Sequence, residues 1–289
     1  MTRKSSLILL LAFTLNLPVA PLCRPDTGGS ALAADSSSIP PGEAEAKATL
    51  ERSPRHREWV KVPVSGSKTQ LSSFIVYPER KDKAPVVIVI MEIFGMTDWV
   101  RAVTDRLAAD GFIAIAPDLL SGRGPGGGGT DAFQSRDDVI KAVSGLSPTE
   151  VAAMLNAVKD YAANLPAAAK KFATVGFCWG GGMSFSYAAA QPALGAAVVY
   201  YGVSPPLETL DRISAPVLGL YGEDDARVVS TVKPAEQKMK ELGKVYVVHI
   251  YKDAGHGFLR AQDARGGANL EASRQAWPAT IEFLKKYLE

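Results

Sequence analysis

Cysteine is nearly absent: Cys23 and Cys178 are the only two in 289 residues, too few for a disulfide framework. Histidine is almost as scarce, at three, so any imidazole chemistry falls to His56, His249 or His256. Neither sign of charge dominates. Lys and Arg number 32 against 30 Asp and Glu, a formal net charge of +2, and the basic residues are scattered rather than gathered in a stripe, which argues against a nucleic-acid partner. Gly and Pro, at 26 and 19, are too few for low-complexity disorder. What remains, 47% hydrophobic and 21% charged, is the makeup of an ordinary globular domain.

The amino terminus reads as an address. Arg3 and Lys4 precede a mostly apolar stretch, 7–19, and the small-residue run Ser30-Ala31-Leu32-Ala33-Ala34 follows. This is the pattern of a secretory signal peptide over 1–34, cleaved near Ala33 or Ala34. The apolar stretch is short for a membrane span of about 20 residues, and Leu22 before Cys23 is bulkier than a lipid-attachment site takes. The expectation is export to the periplasm or exterior, with no stable membrane insertion after cleavage. Cys178 then stands alone, without a partner for a structural disulfide. Residues 35–56, rich in Ser, Pro, Glu and Ala without hydrophobic periodicity, read as a flexible leader to a single domain over 57–289. The composition is compatible with a monomer or a homodimer.

Two alternating segments, 59–63 and 71–77, flank Ser65-Gly66-Ser67 and predict an antiparallel hairpin. Continuous apolar runs follow at 86–91, 112–116, 172–176, 196–201, 216–221 and 245–251, as strands covered on both faces require. A helix is predicted over 98–109, stopped at Gly111, and another behind the capping box Ser147-Pro148-Thr149-Glu150. Further helices are predicted after Cys178, around 234–242 and over 270–288. Strands alternating with helices give an α/β fold: a mostly parallel central sheet with helices on both faces and an antiparallel pair at its start.

The chemistry concentrates at Gly176-Phe177-Cys178-Trp179-Gly180-Gly181, where a strand ends and a helix begins. Glycine-x-nucleophile-x-glycine is the nucleophile elbow, here with cysteine in place of serine. The turn must be sharp to expose the nucleophile, and side chains at 176 and 180 would collide across it. The helix amino terminus directs free N–H groups toward the sulfur and toward a developing oxyanion. An ordinary thiol is only about 3% ionised at pH 7, so a base is needed. Against this stands the reading of Cys178 as a small buried apolar residue.

Of the histidines, His56 lies among arginines and His249 within a strand pattern. His256, in Asp253-Ala254-Gly255-His256-Gly257-Phe258, follows a strand at the carboxyl edge where open α/β sheets hold their ligands. The loop Gly222-Glu223-Asp224-Asp225 offers Asp224 or Asp225 to orient the imidazole. The order nucleophile, acid, histidine is that of the α/β-hydrolases.

These motifs, together with Met91-Glu92-Ile93-Phe94-Gly95, Ala116-Pro117-Asp118-Leu119, Tyr201-Gly202 and Arg260, resemble the dienelactone hydrolase family over most of the chain from about residue 85. The resemblance implies Cys178 as nucleophile, His256 as base and Asp225 rather than Asp224 as orienting acid, from its spacing to Gly222 and Val228. It implies an oxyanion hole from the backbone N–H groups of Trp179 and Ile93. It also implies that Glu92 contacts the resting thiol and pairs with Arg260, which takes a substrate carboxylate and so switches the nucleophile on. A second substrate-binding arginine has no clear motif; Arg136 lies in the right region. The glycine-rich run from Gly122 to Gly129 is an additional loop, expected to be a mobile rim or linker, and lacks the Gly-Lys-Ser/Thr of a phosphate cradle.

The implied activity is that of a secreted, cysteine-dependent hydrolase of small-molecule esters or lactones, working through an acyl-enzyme and requiring no metal or organic cofactor. Two alternatives belong to other classes: a thiol redox or sensing protein, and a non-catalytic binding module on the same fold. The absence of a resolving cysteine weighs against the first and a complete triad against the second.

Overall fold

Ala-Pro-Val-Val-Ile-Val-Ile, residues Ala84–Ile90, is buried at every position, and a backbone with apolar side chains on both faces satisfies its hydrogen bonds only between strands under two layers of cover. In the computed structural model, which describes residues 38–68 and 70–289, this run is β3 of an eight-stranded sheet. The segment 1–34 and Cys23 lie outside the described residues. The other strands are β1 (Arg57–Pro63), β2 (Gln70–Val76), β4 (Ile113–Pro117), β5 (Ala168–Phe177), β6 (Ala196–Tyr200), β7 (Val217–Gly222) and β8 (Tyr246–Tyr251). Their order is β1-β2-β4-β3-β5-β6-β7-β8. β1 pairs antiparallel with β2 and β2 with β4, and the remaining pairs are parallel. This is the α/β-hydrolase arrangement that the sequence pattern predicts.

The helices are α1 (Ala46–Arg52), α2 (Asp98–Ala109), α3 (Arg136–Ser144), α4 (Pro148–Ala163), α5 (Trp179–Ala190), α6 (Ala226–Glu241) and α7 (Ala268–Leu288). α4 opens on the expected capping box, with Ser147 and Glu150 each bonding the other's backbone N–H. α6 begins well before the predicted 234–242 and carries Pro234 in its interior. α1 and α3 are not foreseen by the sequence pattern. β8 departs from the expected two-sided cover: Val247, His249 and Ile250 are exposed. It is the last strand of the sheet, and α6 packs on it while α7 lies across β5, β6 and β7.

Register positions the site. Ile90 pairs with Gly176, Phe177 with Tyr200 and Gly222 with Tyr251. The carboxyl ends of the central strands therefore emerge level, and the turns that follow them meet on one edge.

The stretch expected to be a flexible leader is instead packed from residue 39 onward. Ile39, Ala46 and Leu50 are buried, α1 lies on α2, and the Pro41 carbonyl accepts from Trp99 Nε1 at 3.1 Å. Arg55 pairs with the buried Asp105 at 2.5 Å, and Ser53 Oγ donates to the same carboxylate at 2.6 Å. The partners are distant in sequence, so no local pattern announces them.

The glycine-rich loop is likewise built rather than slack. Gly124 N–H donates to the Gly128 carbonyl at 2.9 Å. The buried Asp118 carboxylate accepts from Thr130 N–H at 2.7 Å and Thr130 Oγ1 at 2.8 Å. A Cβ on Gly129 would lie 2.1 Å from Asp118 Oδ2, so glycine there permits the close approach.

Candidate active site

β5 delivers Cys178 in a strained backbone, φ 57° and ψ −119°, and α5 starts at the next residue. The flanking glycines let this turn close. A Cβ on Gly176 would sit 2.0 Å from the Gly180 carbonyl oxygen, and one on Gly180 would sit 2.3 Å from that of Met91. The first turn of α5 thus rests against the end of β3. Cys178 N–H donates to the Tyr200 carbonyl at 3.0 Å, tying the elbow to β6.

The loop after β8 brings in His256, and the turn after β7 brings in Asp225. His256 Nε2 lies 3.1 Å from Cys178 Sγ, and Nδ1 lies 2.5 Å from Asp225 Oδ2. Asp225 is buried, whereas Asp224 turns outward to pair with Arg265. A Cβ on Gly222 would meet the Ala254 carbonyl oxygen at 2.5 Å, so its absence lets the end of β7 lie against the histidine loop. Burial works against the imidazolium, but hydrogen bonds to Asp225 and Cys178 outweigh it and hold the His256 pKa up at about 9. Tyr201, with φ 40°, packs edge-on against the imidazole at 5.2 Å. His56 and His249 are both exposed, the latter stacked on Tyr251.

Glu92 is 1% exposed. Burial pushes its carboxyl up to about 7, against the opposing charges of Arg260 and His256. Oε2 stands 2.9 Å from Arg260 Nε, but neither atom makes a directed hydrogen bond, so the pair is a charge contact. The hydrogen bond of the sulfur is to His256, while Glu92 meets the Arg260 guanidinium. Arg260 also pairs through Nη1 with Glu43.

Glu92 opens a turn closed by Gly95 N–H on the Glu92 carbonyl at 3.1 Å, and Ile93 lies within it. Trp179 is the first residue of α5, where helix N–H groups lack intrahelical acceptors. The turn is braced from the glycine-rich loop, because Met96 N–H donates to Thr130 Oγ1 at 3.1 Å. The Phe94 ring carries two guanidiniums, Arg136 at 3.7 Å and Arg260 at 5.1 Å from its centroid, so Arg136 does reach the rim of this site.

Cys178, Asp225, His256, Glu92 and Arg260, each visible in the sequence pattern, are gathered by the fold. Nothing in that pattern marks Glu43 or the ring of Tyr201. Glu43 lies 217 positions from Arg260 inside a polar stretch, and no signal in the chain marks it. Among the described residues no group of three or more His, Cys, Asp or Glu side chains is placed to hold a metal ion, and no helix is long and apolar enough to cross a membrane.

A sulfur in contact with an imidazole, which is in turn oriented by a buried carboxylate beside helix N-terminal amides, is an arrangement suited to acyl transfer. Known proteins with related sequences point the same way. The sequence model of the dienelactone hydrolase family matches residues 71–288. A Salmonella typhimurium protein assigned as a carboxymethylenebutenolidase is 32% identical over 239 residues, covering 78% of this chain and 86% of its own. Its counterpart in Escherichia coli K12 is 30% identical, covering 78% and 85%. A crystal structure from Klebsiella pneumoniae, assigned as a dienelactone hydrolase, superposes with a TM-score of 0.70 at 30% identity, over 81% of this chain and 99% of that one.

Proposed function

The chain belongs to the dienelactone hydrolase family and is a hydrolase, and from that premise we propose that it cleaves carboxylic esters or lactones through a Cys-His-Asp triad and an acyl-enzyme. Cys178 Sγ attacks the carbonyl carbon with the proton the two groups share held on His256 Nε2. The backbone N–H groups of Trp179 and Ile93 hold the tetrahedral oxyanion. Collapse breaks the bond to the leaving oxygen, which takes the proton from His256 and leaves a thioester on Cys178. Water, deprotonated by His256, then attacks the thioester and restores the thiol. Asp225 keeps the imidazole in the tautomer and orientation this requires. Glu92, held by Arg260, adds a negative charge that favours the imidazolium once it forms.

The observation that carries this reading is the continuous chain of contacts from Asp225 through His256 to Cys178. A redox or sensing role needs no oriented base on the sulfur, and a binding module needs neither. The Arg3-Lys4 and apolar pattern at the amino terminus supports export of the enzyme.

Turnover of 4-nitrophenyl acetate tests the proposal. Cys178→Ala and His256→Ala are each expected to lose at least about a thousandfold in kcat/KM, and the parent to show a pre-steady-state burst of nitrophenol when deacylation is the slower step. Hydrolysis that survives both substitutions would overturn it.

A further inference from the structure

Arg260 N–H donates to the Gly257 carbonyl at 3.0 Å, so the guanidinium and the base His256 belong to one turn. Two carboxylates from opposite sides already occupy this guanidinium. Glu92 meets Nε from the buried side, and Glu43 meets Nη1 from the amino-terminal arm. The main chain aligns the second pair, since Glu43 N–H donates to the Arg260 carbonyl at 2.9 Å. The arm is pinned on either side of it, by Gln262 Nε2 on the Pro40 carbonyl at 2.9 Å and by Trp99 on Pro41. Arg260 retains only 17% of its side-chain exposure, while Glu43 keeps 50%, so Glu43 stands between the guanidinium and solvent.

We propose that Glu43 is a specificity-determining residue: it fills, from within the chain, the face of Arg260 that an anionic ester would engage, so that the site turns over uncharged esters and lactones and rejects carboxylate-bearing ones. The inference rests on the hydrolase reading above. One guanidinium thus already faces two carboxyl groups, and an incoming carboxylate must displace Glu43 or meet its repulsion. The resemblance-implied role of Arg260 as receptor for a substrate carboxylate is thereby blocked in this chain.

The test compares kcat/KM on 4-nitrophenyl acetate and on the mono-4-nitrophenyl ester of glutaric acid, in parent, Glu43→Gln, Glu43→Ala and Glu45→Gln proteins. Either change at Glu43 is expected to raise the anionic-to-neutral ratio at least about tenfold, mainly through KM, with the gain shrinking at high salt. Glu45→Gln removes a charge from the same arm without touching Arg260 and should leave the ratio alone. Calorimetric titration of glutarate into the Cys178→Ala protein, with and without Glu43→Gln, reads the same contact without turnover, and tighter binding is expected when Glu43 is gone. Cys178-dependent hydrolysis of both esters at an unchanged ratio would sink the specificity role while sparing the hydrolase. Absence of hydrolysis with tighter glutarate binding in the Glu43 variant would do the reverse.

Discussion

Glu92 is the residue at which burial and function conflict most openly. An ionised carboxylate with 1% exposure is costly even beside an arginine, and its pKa near 7 expresses that cost. The folded value lies above that of an unfolded glutamate, about 4.3, so between those limits the native state binds more protons than the unfolded chain and stability falls as pH rises. Glu92→Gln removes this dependence. Thermal melts from pH 4 to 8 are therefore expected to show the variant gaining on the parent steadily through that window, and a difference independent of pH would contradict the assignment. His256 adds a second decline at higher pH: its folded pKa of about 9 exceeds the ordinary 6.5, so the stabilisation it contributes is complete below the lower value and gone above the upper one.

At the scale of elements, the site is an alignment of strand ends. The Cys178 turn follows β5, the Asp225 turn follows β7, the His256 loop follows β8 and the Glu92 turn follows β3, and parallel register brings these turns level. Strand position is legible in the sequence because apolar runs and caps act over a few residues. The bracing of the Glu92–Gly95 turn is not, because it comes from a loop that reads as a linker. Thr130 Oγ1 donates to Asp118 and accepts from Met96 N–H, which fixes the backbone that presents Ile93. Thr130→Val keeps the shape and removes both bonds. It is expected to cost about 1–3 kcal/mol of stability and to lower kcat about tenfold or more with a smaller effect on KM, as the oxyanion role proposed for the Ile93 N–H requires. Steady-state kinetics with a denaturant melt checks both; an unchanged kcat would mean the turn holds without its brace.

Across the whole molecule, the arm from residue 39 onward belongs to the hydrolase body. Arg55 and Ser53 satisfy Asp105, which is otherwise enclosed in α2, and removing a partner from a buried charge costs about 3–5 kcal/mol. A chain beginning at residue 57 is therefore expected to be less stable than one beginning at 36 by at least that much in urea unfolding, with the apolar contacts of Ile39 and Leu50 adding to the loss. Equal midpoints would mean that the arm is only draped over the surface. The same truncation removes Glu43 from Arg260 and is expected to shift ester preference as Glu43→Gln does.

The amino-acid sequence alone determined the alternation of strands and helices, the elbow at Cys178 and the chain order of Cys178, Asp225 and His256. Each of these is written in patterns a few residues long: apolar periodicity, caps, and glycines where backbones cross. Only the tertiary structure decided that β8 is left bare on its outer side, that the glycine-rich loop is a brace, and that Glu43 closes on Arg260. Those outcomes depend on which distant groups packing brings within about 3 Å of each other, a distance set by the whole fold rather than by neighbours along the chain.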